Sequence, residues 1–296
     1  MTGAAAAGLD AFMAERPRLR ALAYRMLGSL SDADDVVQEV WLRWAAADRS
    51  GVAAPAGFLT TVTARLALDR LRAARASRET YVGTWLPEPA VVPADGRGEG
   101  AGAGEDSVPL ALLTLMERLT PEQRTVYVLR TALEMDYAAV AGVLGRSPDA
   151  CRQIMRRARD ALAGPPRFAP DRGIVGRIAE AFRDACDAGD HARLVALLAG
   201  DAVMLADGGG VVRTALNPIR GAGRIARLLL GLRRKHGLTL AAEPLRVNGG
   251  PGFAVLLGGR FHGVLALDTD AGAVTRLYLM VNPTKLHTVG GPAAGR

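Results

Sequence analysis

The first part of the chain has apolar residues at helical spacing. One helix face is predicted by the i, i+3, i+4 recurrence of Leu19, Leu22, Ala23, Met26 and Leu27. Gly28-Ser29 ends this helix, and two more are expected over about 32–47 and 58–78, the former capped by Ser31. Residues 10–79 are therefore predicted to form an all-α module.

A second helical stretch, residues 108–164, contains several signals for helix starts. Thr120-Pro121-Glu122-Gln123 is a capping box with proline at the first helical position, and Asp136 is the expected N-cap of the next helix. Ser147-Pro148-Asp149 begins another helix after a turn of three residues, Gly145-Arg146-Ser147. Two short helices joined by so short a turn predict a helix-turn-helix.

The last part, residues 170–290, changes to short apolar runs between Gly-rich turns. Helices are predicted at Ile174–Ala188, His191–Leu198 and Gly221–His236. Strands are predicted at Ala202–Ala206, Leu238–Val247, Gly252–Leu257, Gly259–Leu267 and Ala273–Val281. Helices followed by a meander of strands indicate an α+β domain with a curved sheet.

Residues 80–107, between the two helical modules, have the composition of a solvated linker. They include Pro87, Pro89, Pro93 and many glycines, a composition that does not form a core. One piece differs, because a solvated linker seldom contains a Tyr, a Trp and a Leu within a few residues. We therefore expect Tyr81–Pro89 to dock on another domain.

Composition narrows the class of protein. The 296 residues suit two or three domains, and no run of about 18 apolar residues lacks charge. The N-terminal apolar stretch is too short for a signal peptide, so we expect a cytoplasmic protein without a membrane segment. Cys151 and Cys186 have neither metal-binding nor disulfide spacing, and no metal or cofactor is predicted. The net charge of +7 suggests a polyanionic partner.

The helix that follows Ser147 has the residue types that read DNA. Its outer side is expected to carry Arg152, Gln153, Arg156 and Arg157. Arginine can bind guanine edges and glutamine can bind adenine edges through two hydrogen bonds, while other arginines bind phosphates. A solvated Arg-rich helix is the alternative, but the capped helix-turn-helix favours DNA binding.

The helix over 58–78 is basic along its expected exposed side. That side is predicted to carry Thr60, Thr61, Thr63, Arg65, Arg70, Arg72, Arg75 and Arg78. Such residues suit a melted or backbone-contacted DNA strand. The alternative is a cationic helix end that complements the helix dipole.

The helical segments resemble the sigma-70 family of transcription initiation factors. Residues 31–43, SDADDVVQEVWLR, look like the polymerase-binding part of region 2. Residues 58–78, with ALDRLR at 67–72, look like the part that opens and reads the minus-10 element. Residues 119–159 look like region 4, which reads the minus-35 element. Without other sigma regions, the chain resembles the extracytoplasmic function group.

Three further motifs resemble the subgroup with a C-terminal SnoaL-like domain, which is similar to the cone-shaped fold of nuclear transport factor 2. They are WLPEP at 85–89, DGGG at 207–210 and NPTKL at 282–286. Thr284 stands where the family has an acidic residue, and Val211 stands where a Lys is more usual. The expected fold is therefore multidomain, with two all-α modules and an α+β cone-shaped SnoaL-like domain.

The resemblance implies roles for individual residues. Polymerase binding is assigned to Asp34, Asp35, Gln38, Glu39 and Trp41, for which helix capping and core packing are the alternatives. Minus-10 contacts are assigned to Arg65, Asp69, Arg70, Arg72 and Arg75. Minus-35 contacts are assigned to Ser147, Asp149, Arg152, Gln153, Arg156 and Arg157. Interdomain regulation is assigned to Trp85, Leu86, Pro87, Asp207, Gly208, Gly209, Asn282, Pro283 and Lys285.

The expected function is a sigma factor that binds core RNA polymerase and directs initiation at specific promoters. The C-terminal domain is expected to regulate it in cis, with an unidentified small molecule as a candidate ligand. Catalysis would need a carboxylate or histidine in an apolar cavity. The candidates are Asp207, which is interpreted as a turn residue, His262, which is interpreted as structural, and Asp268, so no catalytic role is predicted.

Two alternatives remain at this point. One is a bifunctional protein whose C-terminal domain is a small-molecule-binding or isomerase-like enzyme. The other is a stand-alone helix-turn-helix regulator, which the acidic segment 31–43 disfavours because such a regulator needs no polymerase-binding surface.

Overall fold

The computed structural model describes residues 3–48, 52–94, 108–162, 172–287 and 289, with the backbone alone at 3–7, 76–79 and 172–175. The described residues fall into two compact units. One lies within Met1–Glu79 and Leu112–Pro165, and the other within Thr80–Ala111 and Pro166–Arg296. Among the described residues, no helix combines the length and the apolar character that crossing a membrane requires.

The first unit is helical. Its helices are α1 (Gly3–Leu27), α2 (Leu30–Ala46), α3 (Pro55–Glu79), most of α4 (Leu110–Met116), α5 (Pro121–Ala132), α6 (Tyr137–Leu144) and α7 (Pro148–Ala161). The predicted apolar face of α1 packs against α2 and α3, and Leu19, Leu22 and Met26 are inaccessible to solvent. Burial of such faces stabilises these helices more than intrinsic propensity does.

Side-chain caps define the helix starts. The N-cap of α2 is Ser29, whose hydroxyl accepts a hydrogen bond from the amide of Asp32, so the prediction of Ser31 as the cap is wrong by two residues. The capping box at Thr120 and the cap at Asp136 are present as predicted. Gly145 is left-handed at the end of α6 and Ser147 caps α7, which confirms the helix-turn-helix.

One face of α3 differs from the prediction. Thr60 and Thr63 were expected to be exposed, but they are buried. Their hydroxyls donate to the carbonyl oxygens of Ala56 at 2.6 Å and Leu59 at 2.8 Å, one turn earlier in the same helix. A threonine whose hydroxyl is satisfied in this way can be buried at little cost, and sequence spacing does not reveal the bond.

The second unit is α+β, which confirms the predicted fold class. Its helices are α8 (Arg172–Ala188), α9 (His191–Leu197) and α10 (Ala222–His236), with a short 3₁₀ helix at Pro283–Lys285. Its strands are β1 (Val91–Pro93), β2 (Leu198–Asp207), β3 (Ile219–Arg220), β4 (Leu238–Val247), β5 (Gly250–Leu257), β6 (Arg260–Asp270) and β7 (Ala273–Met280). They form one sheet in the order β1-β4-β5-β6-β7-β2-β3. The pair β2–β7 is parallel and the other pairs are antiparallel.

The sheet is covered on both faces. Leu277 belongs to the core formed with the helices, which includes Phe182 and Ile225. Tyr278, which points to the opposite face of β7, belongs to a second core with Leu86 and Leu110. The second core therefore includes Leu86 from within the predicted linker and Leu110 from just after it.

The composition of residues 80–107 predicted a solvated linker, but its described part packs on the sheet. Leu86, Ala90 and Val92 are buried. β1 pairs with β4, so that Val91 lies opposite Val247. The docking expected for Tyr81–Pro89 is seen, and the sheet pairing that follows it was not predicted. Residues 95–107 lie outside the described residues.

We predict that Leu86→Ala lowers the free energy of unfolding by about 2–5 kcal/mol, because the change opens a cavity in the second core. Val82→Ala is the matched control, since Val82 is 55% exposed in the same segment. Urea unfolding of both variants measures the difference. Equal destabilisation by the two substitutions would contradict burial of Leu86 in a core.

Candidate functional site

A buried carboxylate lies where β2 ends. Asp207 is 1% exposed and accepts hydrogen bonds from four donors. One oxygen accepts from the Tyr81 hydroxyl at 2.6 Å and from the Gly209 amide at 3.0 Å. The other accepts from the Leu86 amide at 2.8 Å and from Lys285 Nζ at 2.7 Å. We call the group around this carboxylate the linker junction, formed by Tyr81, Trp85, Leu86, Asp207, Asn282 and Lys285.

Lys285 is the cation of the linker junction. Besides Asp207, its Nζ donates to the carbonyl oxygen of Leu86 at 2.5 Å. The same ammonium lies 4.0 Å from the ring centroid of Trp85 and 5.1 Å from that of Tyr81. Attraction between a cation and an aromatic face strengthens when both are shielded from water. Both polar backbone atoms of Leu86 are therefore held by one buried ion pair.

Asn282 and the glycines after Asp207 complete the linker junction. Asn282 Nδ2 donates to the Tyr81 hydroxyl at 2.9 Å, while its Oδ1 accepts from the amide and the hydroxyl of Thr284. Gly209 has φ of 64°, and a Cβ there would lie 2.4 Å from Asn282 Nδ2. A Cβ on Gly208 would lie 2.1 Å from the Val212 carbonyl oxygen. Both positions thus require glycine.

The titratable side chains of the linker junction, Tyr81, Asp207 and Lys285, all have hydrogen-bonding partners among the described residues. Burial and the hydrogen bond to Asp207 raise the pKa of Tyr81 above its ordinary value, so its hydroxyl stays a donor. Asp207 accepts from the Gly209 amide in its own turn, as the turn interpretation expects, but its carboxylate also binds across the fold. Pro87 is buried beside the junction and Pro283 is exposed.

Asp268 pairs with Tyr278 across β6 and β7. The Tyr278 hydroxyl donates to Asp268 Oδ2 at 2.8 Å. Burial raises the pKa of Asp268 above its ordinary 3.8, although Tyr278 and Arg276 act in the opposite direction. His262 is half-buried, and burial lowers its pKa. Among the described residues, no group of three or more His, Cys, Asp or Glu is arranged to hold a metal.

The outer face of α7 is exposed as predicted. Gln153, Arg156 and Arg157 are exposed. Arg152 is also exposed, pairs with Asp149 and lies 5.4 Å from the ring centroid of Tyr137. The Ser147 hydroxyl accepts from the Ala150 amide at 3.2 Å, so it acts as a helix cap. Four side chains thus form a basic and polar surface.

Two arginines of α3 contact helices of the second helical module, Arg65 on α6 and Arg72 on α5. Arg65 donates to the carbonyl oxygens of Gly142 at 2.7 Å and Val143 at 3.4 Å. Arg72 pairs with Glu122 at 2.8 Å and with Asp69 at 3.4 Å. Burial alone would raise the pKa of Glu122, but the hydrogen bond and charge of Arg72 lower it.

Further contacts join helices α1–α3 to helices α4–α7. Arg124 is 2% exposed, pairs with Glu117 and donates to the carbonyl oxygen of Arg25 at 3.4 Å. Arg75 and Arg124 line a cleft of about 290 Å³ between α3 and the turn before α5. The helices α1–α3 and α4–α7 therefore pack as one body in the first unit.

The acidic face of α2 is exposed and partly neutralised. Asp34 accepts two hydrogen bonds from Arg20, at 2.5 and 2.9 Å. Asp35 pairs with Arg70 at 3.2 Å. Gln38 is exposed, and Glu39 pairs with Arg43 at 3.0 Å. Trp41 is half-buried, with its ring centroid 5.0 Å from that of Phe12.

Comparison with known proteins identifies the family. Residues 11–77 match Sigma-70 region 2, and residues 110–162 match Sigma-70, region 4. The chain is 38% identical to "ECF RNA polymerase sigma factor SigJ" of Mycobacterium tuberculosis, in a match that covers 96% of this chain and 94% of SigJ. The chain belongs to the extracytoplasmic function sigma factors.

Two further comparisons agree with this assignment. The sigma factor is 31% identical to "Probable ECF RNA polymerase sigma factor SigI" of M. tuberculosis, over 96% of this chain and 97% of that one. The crystal structure of M. tuberculosis SigJ matches with a TM-score of 0.77 and 35% identity, covering 95% of this chain and 98% of that chain. Sigma factors bind core RNA polymerase and promoter DNA, so the predicted sigma-factor function and these two predicted partners are confirmed.

Sequence reasoning missed some residues of this sigma factor's sites. Tyr81 was noticed only as an unusual aromatic, and Asn248 and Glu122 were not singled out. Asn248-Gly249 had a local signal, since Asn-Gly is typical of a tight hairpin turn. The Asn-Gly pair predicts the backbone conformation of the turn, but it does not predict what the side chain of Asn248 binds.

We predict that Asp268→Asn changes how the stability of the sigma factor depends on pH. Because the pKa of Asp268 is raised on folding, the native state keeps a proton that the unfolded chain has lost. The free energy of unfolding therefore falls as pH rises from 3.8, the ordinary pKa, through the raised pKa of Asp268 in the folded state. The Asn variant should gain stability relative to the parent between pH 4 and pH 7.

Urea unfolding at the two pH values makes this measurement. Asp270→Asn is the control, since Asp270 is exposed at the end of the same strand. A stability difference between parent and Asp268→Asn that is the same at both pH values would contradict the prediction.

Proposed function

We propose that the C-terminal domain of this sigma factor regulates promoter recognition in cis by holding the segment that joins its two helical modules. The observation that carries the proposal is the linker junction, in which Asp207 and Lys285 bind the amide and the carbonyl of Leu86. While these bonds persist, the joining segment cannot extend. A ligand of the C-terminal domain would act by favouring the held or the released state.

The packing of the helical modules supports a closed, inactive conformation. Arg65 and Arg72 are the proposed minus-10 contacts, and both are bound by residues of α5 and α6. They would have to leave these partners before they bind a DNA strand. Asp69, Arg70 and Arg75 are the other proposed contacts to the minus-10 element.

The exposed side of α7 is the proposed minus-35 surface. Arg152, Gln153, Arg156 and Arg157 are the side chains that would contact bases and phosphates. Ser147 and Asp149 would act at the helix start, where Ser147 already serves as the cap. In the proposed closed conformation this surface stays exposed.

The polymerase-binding surface is proposed to lie on α2. It would consist of Asp34, Asp35, Gln38, Glu39 and Trp41. The pairing of Asp34 with Arg20 and of Asp35 with Arg70 orients these carboxylates on the surface. We propose that this sigma factor acts in the cytoplasm, where it meets core polymerase and DNA.

We propose a regulatory and non-catalytic role for the C-terminal domain. Asp207 is saturated with donors from the linker and its own turn. Asp268 is bonded by Tyr278, whose ring belongs to the core that includes Leu86. Asp207 thus binds the joining segment itself, and Asp268 binds a residue of the core on which that segment packs.

We predict that Lys285→Met raises promoter-specific transcription by about tenfold, since it leaves the Asp207 carboxylate buried without its cation. Methionine keeps much of the apolar stem. The measurement is in vitro transcription by the full chain with core RNA polymerase. Lys235→Met, at an exposed position on α10, is the matched control.

A rise in Lys285→Met alone, with core polymerase bound as before, supports cis regulation. An output equal to that of the parent would refute it, provided that limited proteolysis cuts residues 80–94 faster than in the parent and so shows that the segment has been released.

We predict that Arg156→Ala weakens binding to promoter DNA and reduces the salt dependence of binding by about one unit of slope, if this arginine contacts one phosphate. Arg193→Ala, at an exposed arginine of α9, is the control. Titrations of the polymerase–sigma complex on labelled promoter at several salt concentrations provide the slopes. Equal slopes for both variants would remove Arg156 from the DNA surface.

A further inference from the structure

Asn248 and Gly249 form the two-residue turn between β4 and β5. Val247 lies opposite Gly250, and Asn248 and Gly249 have φ of 51° and 78°. Two positive φ values are the mark of the tight turn that Asn-Gly favours. The turn accounts for the backbone at Asn248, and glycine would serve it equally well.

The side chain of Asn248 does more than the turn requires. The residue is 2% exposed. Its Oδ1 accepts from the Ala90 amide at 3.1 Å, and its Nδ2 donates to the Val108 carbonyl oxygen at 3.0 Å. The backbone amide of Asn248 also donates to the Ala90 carbonyl oxygen at 2.8 Å. One buried carboxamide thus bonds the chain at two points that are eighteen positions apart.

We infer that Asn248 is a positioning residue that clips together two points, Ala90 and Val108, of the segment joining the helical modules. The inference rests on the proposed cis regulation and adds a second point of control to it. The linker junction holds the chain at Leu86, and Asn248 holds it at Ala90 and at Val108. While Ala90 and Val108 are both bonded to Asn248, the chain between them adds nothing to the reach of the segment.

The lengths involved show why this clip affects promoter recognition. Between Glu79 at the end of α3 and Leu110 at the start of α4 lie residues 80–109, which extend to about 100 Å when free. When Ala90 and Val108 are held together, only residues 80–90 and 108–109 contribute to the reach, and they span at most about 45 Å. Promoter elements named minus-10 and minus-35 lie about 25 base steps, or about 85 Å, apart along B-form DNA. The free segment is longer than this separation and the clipped one is shorter.

The bonds of the clip are of moderate strength, so the clip can both hold the chain and open. Its bonds are neutral, and each net contribution is about 1 kcal/mol, in contrast to the buried charges of the linker junction. Asn248 is only 2% exposed, and its carboxamide bonds both points of the chain. Because loss of either bond removes a partner from a buried polar group, the two points are expected to open together.

The test compares two substitutions at Asn248 in the full chain. Asn248→Gly keeps the positive φ and removes both side-chain bonds. Asn248→Asp keeps an acceptor for the Ala90 amide and loses the donor to Val108. Ala271→Gly is the control, because Ala271 has φ of 47° in the tight turn between β6 and β7 and is exposed.

Amide hydrogen exchange at Ala90 and transcription with core polymerase are the two measurements. For Asn248→Gly we expect exchange at Ala90 about tenfold faster than in the parent and a severalfold rise in promoter output. For Asn248→Asp we expect a rise in output with a smaller change in exchange at Ala90. Ala271→Gly should change neither.

The outcomes separate the clip from the linker junction. If Lys285→Met raises output and both Asn248 variants leave it at or below the parent value, the clip is overturned while cis regulation stands. If none of these variants raises output, both proposals fail. If Asn248→Gly does not fold, Asn248→Asp decides the question, since unchanged output in that variant also overturns the clip.

Discussion

The buried ion pair of Asp207 and Lys285 is the interaction on which the docking of the joining segment, and with it the proposed regulation, depends. Removing two charges from water is costly, and their mutual attraction compensates only when the remaining hydrogen-bonding capacity is also satisfied. Here that capacity is satisfied by the Tyr81 hydroxyl and by both backbone polar groups of Leu86. The pair is therefore complete only when the joining segment is docked.

This dependence makes the segment a structural part of the C-terminal domain. Leu86 and Val92 belong to the chain between the helical modules and are buried in the α+β unit. Releasing them exposes apolar surface at the same time as it leaves Asp207 short of donors. Loss of apolar burial and loss of hydrogen bonds thus occur together. The segment is therefore expected to dock and to be released cooperatively.

Local features of the fold followed from the sequence, and the long-range contacts did not. The caps at Thr120, Asp136 and Ser147 depend on residues three positions away, which a single sequence displays. The contact of Asp207 with Tyr81 joins residues 126 positions apart, and no periodicity encodes it. Composition also gave a wrong prediction at 80–94. Proline and glycine are typical of a solvated linker, and composition does not show that a sheet elsewhere in the chain binds the segment.

The contacts that Arg65 and Arg72 make between the helical modules are weak. Arg72 and Glu122 form a partly exposed ion pair, a class worth about 0–1 kcal/mol, and Arg65 binds neutral carbonyl oxygens. DNA phosphates offer both arginines charged acceptors, which form stronger hydrogen bonds. Exchange of partners therefore favours DNA once the modules are free to separate. This balance is the one that the proposed control by the buried bonds of the joining segment requires.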